Sequence, residues 1–176
     1  MTEGASAAIG ERVVAAVSRF IRAQEVGLIL LAALVGARAG GAVGLMDLAA
    51  QWLHETLFHL PDGTRLSAAE SLSAWRALLV PAAGGFLVAC LGWASLRLGQ
   101  RTQVDPIEAN ALYGGRLSLA GSTSITLQTL LSNGFGASVG MEAGYAQIGS
   151  GLASRSGLWL KLRRNDLRVL VGCGAA

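Results

Sequence analysis

Two runs of more than twenty residues with almost no charge constrain this chain more than anything else in it. The first covers residues 26–50, from Val26-Gly27-Leu28-Ile29-Leu30-Leu31 to Met46-Asp47-Leu48-Ala49-Ala50, with Arg38 interrupting it. The second covers residues 74–98, from Ala74-Trp75-Arg76 to Leu96-Arg97-Leu98. About 20 mainly apolar residues suffice to cross the hydrocarbon core of a bilayer as a helix. Both runs exceed that length, and the first is long enough to tilt. An open sheet edge cannot be satisfied in hydrocarbon, so strands are not expected there. Trp75 and Trp93 lie near the two ends of the second run, where amphipathic rings favour the membrane interface. Pro81 with Gly84 and Gly85 predicts a bend that neighbouring helices can tolerate. Arg38 fits best as a snorkelling or internally paired residue, and second as a lining residue of a pathway.

The rest of the composition agrees. Hydrophobic residues make up 52% of the 176 and charged residues only 14%, against roughly 25% charged in soluble domains. The 24 glycines show no collagen-like period and suit closely packed membrane helices, whose backbones approach through small residues. The net charge of +3 does not point to nucleic acid, because no basic stripe with interleaved aromatics is present. Cys90 and Cys173 sit in apolar surroundings without metal-ligand spacing and read as buried core thiols. No cofactor is implied.

The expected fold class is therefore all-α, a multi-spanning helical membrane protein forming a single transmembrane domain over 1–176. Helices are predicted at about 10–22, 26–50, 74–98, 117–132 and 143–160, with short pieces between. Within residues 1–24, Val13, Val14, Val17, Phe20 and Ile21 recur at helical spacing, with Arg12, Arg19 and Arg22 elsewhere around the helix. This pattern predicts an amphipathic helix on the cytoplasmic interface. Residues 51–73 and 99–116 read as polar connections, and His54 and His59 in the former as ordinary loop or interface residues. The stretch 117–139 is rich in Ser, Thr and Gly, as in helices packed inside a bundle. A basic run, Lys161 to Arg168, precedes a last apolar segment from Val169 to Ala176 in which the chain ends, so it reads as a truncated fragment. Positive charge in short loops puts the N-terminus, the 99–116 connection and the 161–168 loop on the cytoplasmic side.

One carboxylate stands out against this background. Glu142 lies in Gly140-Met141-Glu142-Ala143-Gly144-Tyr145-Ala146-Gln147-Ile148-Gly149, with no charge nearer than Arg116 or Arg155. An ionisable group at membrane depth costs a few kcal/mol even on lenient scales and marks an ion pathway by default. The competing reading is a Glu at an exposed helix start, where the dipole favours negative charge.

The same segment resembles the signature of the CLC family of chloride channels and proton-coupled chloride exchangers, Gly-Arg-Glu-Gly-Pro, two variable residues, then Gln-Ile-Gly. Gly140, Glu142, Gln147, Ile148 and Gly149 match it, and Met141, Ala143 and Gly144 depart from it. Pro106 to Ala111-Leu112 is similar to a second signature, Gly-Ser-Gly-Ile-Pro followed by Ala-Leu. The resemblance covers the front part of that family's membrane domain. It implies the first half of an inverted-repeat fold with broken, re-entrant helices, and anion transport as channel or proton-coupled exchanger rather than an enzyme. It further implies a partner set of chloride or a similar anion, protons, the lipid bilayer and a second copy of the chain in a homodimer. Glu142 would be gate and proton acceptor, with anion contacts from Gly140, Met141, Ala143 and Gly144. Gln103 would stand where the family places a serine, and Asp105 would bring negative charge near that contact. Two other classes compete. One is a non-transporting membrane scaffold; the other is an intramembrane hydrolase using Ser122 as nucleophile, which would need a histidine at similar depth.

Overall fold

A computed structural model describes residues 25–61, 63–69, 72–99 and 104–176. The amphipathic segment predicted at 10–22 lies outside them, as does Gln103. Among the described residues the chain is all-helical, with six α-helices and one short 3-10 turn. They are α1 (Glu25–Phe58), α2 (Ala74–Arg97), α3 (Pro106–Leu112), α4 (Leu119–Gly134), α5 (Glu142–Trp159) and α6 (Arg164–Ala175), with the 3-10 turn at Leu66–Ala68 between α1 and α2.

Helices α1 and α2 are long and apolar enough to cross a membrane. Their large side chains face outward: Leu30, Leu34, Leu45 and Leu48 on α1, and Leu78, Leu79 and Phe86 on α2, are all exposed. A soluble protein would hide such a surface. Tryptophans mark two levels along the bundle. Trp52 and Trp75 stand near one end, and Trp93 and Trp159 near the other, all largely exposed. Trp75 and Trp93 are separated by about 27 Å at 1.5 Å per residue, close to the hydrocarbon thickness of about 30 Å. At the second level the Arg97 guanidinium stacks 4.8 Å over the Trp93 ring.

The first span runs eight residues further than the predicted 26–50, because polar residues 51–58 find partners while still helical. Gln51 Nε2 donates to Glu55 Oε1 at 3.1 Å, and His54 Nε2 donates to the Asn133 carbonyl at the end of α4 at 2.9 Å. His54 is thus a helix–helix contact and not a loop residue. Helix α1 stops before His59, whose φ of 56° is left-handed. Helix α2 continues through Pro81. The basic run is only partly a loop, since Arg163 caps α6 and Arg164 opens it.

Two further expectations need correction. Cys90 on α2 and Cys173 on α6 are exposed, not buried. Arg38 is exposed on the outside of α1 between buried Val35 and Ala39, so it does not pair inside the bundle. In a chain of this kind an apolar neighbourhood in sequence marks a lipid-type exterior as readily as a core.

The centre of the bundle is α5. It packs against α1, α4 and α6, and its buried face is made of Gly144, Gln147, Gly149, Ser150, Gly151, Ala153, Ser154 and Gly157. Small residues let backbones touch. A Cβ on Gly174 of α6 would lie 2.6 Å from the Gly149 carbonyl oxygen, and one on Gly151 would lie 2.7 Å from Ser122 of α4. Hydroxyls close the remaining gaps: Leu117 N donates to Ser154 Oγ at 2.9 Å, and Thr126 Oγ1 donates to the carbonyls of Ser122 at 2.8 Å and Gly144 at 3.3 Å. Leu31, Val35, Ala109, Leu117, Leu167, Leu170 and Val171 form the apolar core at the Trp93 end.

Candidate functional site

The site is built on the first turn of α5. Helix α5 opens at Glu142, with Met141 at its N-cap position (φ −89°, ψ 0°) and no side chain capping it. The first N–H groups of a helix have no intrahelical acceptor. Here the first intrahelical bond is from Tyr145 N to the Met141 carbonyl at 2.9 Å, which leaves the amides of Glu142, Ala143 and Gly144 outside the helical ladder. Together with the helix dipole these amides form a partial positive charge suited to an anion. Gly144 is buried between Met46 of α1 and Thr129 of α4, whereas Ala143 is exposed. Gly140 leaves the space that the Glu142 carboxylate occupies: a Cβ there would sit 2.8 Å from Glu142 Cδ.

Glu142 is exposed to a cavity of about 600 Å³ at the Trp75 end of the molecule, bounded by α1, the 3-10 turn, the end of α4 and the start of α5. Asp47, His54, Arg65, Met141 and Tyr145 also line it. Tyr145, one turn beyond Glu142, donates its hydroxyl to Asp47 Oδ1 and so ties α5 to α1 at the cavity wall. Glu142 thus begins a helix and lines a polar cavity.

Gln147 lies on the opposite, buried side of α5 and is 3% exposed. Its Nε2 donates to the Val104 carbonyl at 3.1 Å and reaches Ser122 Oγ at 3.5 Å. It thereby fixes the backbone that leads into α3. Asp105 caps α3: its Oδ1 accepts from Ile107 N at 2.7 Å, and Pro106 occupies the first turn. Ser122 is fully buried and engaged with Gln147, and the described histidine of α1, His54, bonds to Asn133 at the far end of α4. Among the described residues, no histidine is hydrogen-bonded to Ser122, as a nucleophile–base pair would require. Among the described residues no group of His, Cys, Asp and Glu could hold a metal ion.

The structure thus brings Gly140, Met141, Glu142, Ala143 and Gly144 together at one helix start. It adds Asp47, Arg65 and Tyr145, which the sequence reading did not single out. Asp47 carried the same signal as Glu142, a carboxylate inside an apolar run, and was readable on that ground. Arg65 carried none, because a charge in a polar connection is unremarkable until the chain folds it over a cavity.

Comparison with known proteins agrees with the motif. The family described as voltage gated chloride channel matches residues 101–176. The voltage-gated ClC-type chloride channel ClcB of Yersinia pestis is 32% identical over 129 residues, covering 72% of this chain and 30% of the relative. The ClcB channel of Salmonella typhi is 29% identical over 150 residues, covering 84% of this chain and 36% of the relative. No solved structure matches the chain. The chain spans about a third of the length of the curated relatives it matches. The signature around Glu142, the all-helical bundle and these relatives together place the chain in the CLC family.

Proposed function

We propose that the protein containing this chain moves chloride or a similar small anion across a membrane, with Glu142 as gate and proton acceptor. The observation that supports this most is the position of Glu142, which lines a polar cavity and opens a helix that no side chain caps. A bound anion and the Glu142 carboxylate would compete for those amides. Neutral protonated Glu142 would yield, and the ionised form would block. Backbone amides and a helix dipole hold an anion without a full cationic charge, which keeps binding weak enough for release. Gly140, Met141, Ala143 and Gly144 would supply the contacts at this level, and Gln103 a second one further along. By the same family resemblance the complete protein would act as a homodimer in the cell or inner membrane.

The test is Glu142→Gln in the full-length protein reconstituted in vesicles. It removes the titratable carboxylate and keeps its shape. Anion flux should persist and lose its dependence on pH, because the variant has no proton to take up at this position. A wild-type pH profile in the variant would mean that the carboxylate only caps the helix. Proton movement accompanying the anion would mark an exchanger, and its absence a channel. A wild-type protein with no anion flux would favour the scaffold reading.

A further inference from the structure

The cavity in front of Glu142 poses an electrostatic difficulty. Its lining includes two carboxylates, Asp47 and Glu142, and the residue directly before the gate is the uncharged Met141. The Tyr145 hydroxyl engages Asp47 but does not neutralise it. Glu55, which follows His54 on α1, is engaged elsewhere: its Oε1 accepts from Gly63 N at 2.8 Å and from Gln51 Nε2 at 3.1 Å. A chamber with this lining would repel the anion it is meant to admit.

Among the described residues, Arg65 is the one Lys or Arg lining the cavity. It is exposed, and it precedes the 3-10 turn Leu66–Ala68 that folds over the cavity from the α1–α2 connection. Its position is anchored from both sides. Thr64 N donates to the Pro61 carbonyl at 3.0 Å, and Ala68 N donates to the Arg65 carbonyl at 2.9 Å. The guanidinium is therefore carried on a short, hydrogen-bonded turn at the mouth and not on a long unstructured loop.

Resting on the transport reading above, we infer that Arg65 is an anion-steering residue. It offsets the carboxylates of the chamber and raises the local concentration of chloride in front of the gate. It does not have to touch the anion at the gate itself. Charges lining a cleft with low-dielectric walls act in this way on capture rates. Such an effect has a signature that packing lacks: it disappears when salt screens it.

The experiment compares wild type, Arg65→Gln, Arg65→Lys and Arg65→Glu in the full-length protein in vesicles, with tracer chloride at subsaturating concentration. Ionic strength is set with an impermeant organic anion. At an ionic strength of about 10 mM, where the screening length is about 30 Å, Arg65→Gln should lower influx about threefold and Arg65→Glu further. At about 1 M, with a screening length of about 3 Å, all four should agree within about 1.5-fold. Arg65→Lys should behave as wild type throughout. An Arg65→Gln defect of equal size at both ionic strengths would overturn the inference, as would an Arg65→Lys defect matching Arg65→Gln. Failure of the underlying reading looks different: neither wild type nor Glu142→Gln would then carry chloride at all.

Discussion

At the scale of single residues, glycine has two opposite meanings in this chain. Gly149 lies where α5 meets the α6 backbone, and an added methyl would run into the Gly174 carbonyl. Gly40 on α1 has nothing within 4 Å of an added Cβ. Gly149→Ala should therefore destabilise by about 2 kcal/mol, the usual cost of overpacking a tight contact. Gly40→Ala should stabilise by up to about 1 kcal/mol, because a mid-helix glycine costs backbone entropy. Thermal unfolding in detergent micelles reads both, and a common sign for the two would contradict the packing described for α5. The sequence distinguished neither position, since each glycine sits in an equally apolar run. Glu142 was legible because its isolation could be seen without a fold. The cavity wall was less so: Asp47 and Tyr145 are 98 residues apart and meet only in three dimensions.

At the scale of elements, Gln147 joins α5 to the approach of α3. A buried carbonyl that loses its donor costs about 1–3 kcal/mol. Gln147→Leu should lower stability by that amount, and Gln147→His, whose ring nitrogen has a similar reach, should recover part of it. Equal losses in the two variants, measured as unfolding midpoints in detergent, would show that the Val104 bond contributes nothing. The α1, α2, α4 and α5 helices were expected from apolar runs or from the Glu142 motif, and their starts fall within two residues of expectation. The overrun of α1 and the early start of α6 were not expected, for one physical reason. Residues 51–58 and 164–168 are polar, and sequence patterning assigns polar runs to loops. Here the polar groups are satisfied by neighbours such as Asn133, or face outward at the bundle ends. The cysteine misreading has a related origin, because in this chain apolar residues cover the outside as well as the inside.

At the scale of the whole molecule, the contacts place chain segments at two ends. His54 with the Asn133 carbonyl and Arg76 with the Phe58 carbonyl gather the α1 end, the α2 start and the α4 end. Leu117 with Ser154, and Gly115 packed on Leu167, gather the α4 start, the α5 end and the α6 start. The first group carries Arg65 and Arg76, and the second carries Arg97, Arg116 and Lys161 to Arg168. Under the rule that short cytoplasmic loops hold the positive charge, the second group would face the cytoplasm. Single cysteines at Arg65 and Arg163, in a background lacking Cys90 and Cys173, should react with an impermeant thiol reagent from opposite sides of the membrane. Labelling of both from one side would invert or abolish this topology.

The contact of Gly149 with Gly174 also bears on time. At this point the two helices meet backbone against backbone, which leaves little room for α5 to slide past α6. Under the proposed gating, the moving part at the head of α5 would be the side chain of Glu142, turning beside Gly140. Rotation of an exposed side chain takes picoseconds to nanoseconds, whereas helix register shifts take microseconds to milliseconds. Opening would accordingly be paced by the arrival of a proton and not by the mechanics of the bundle.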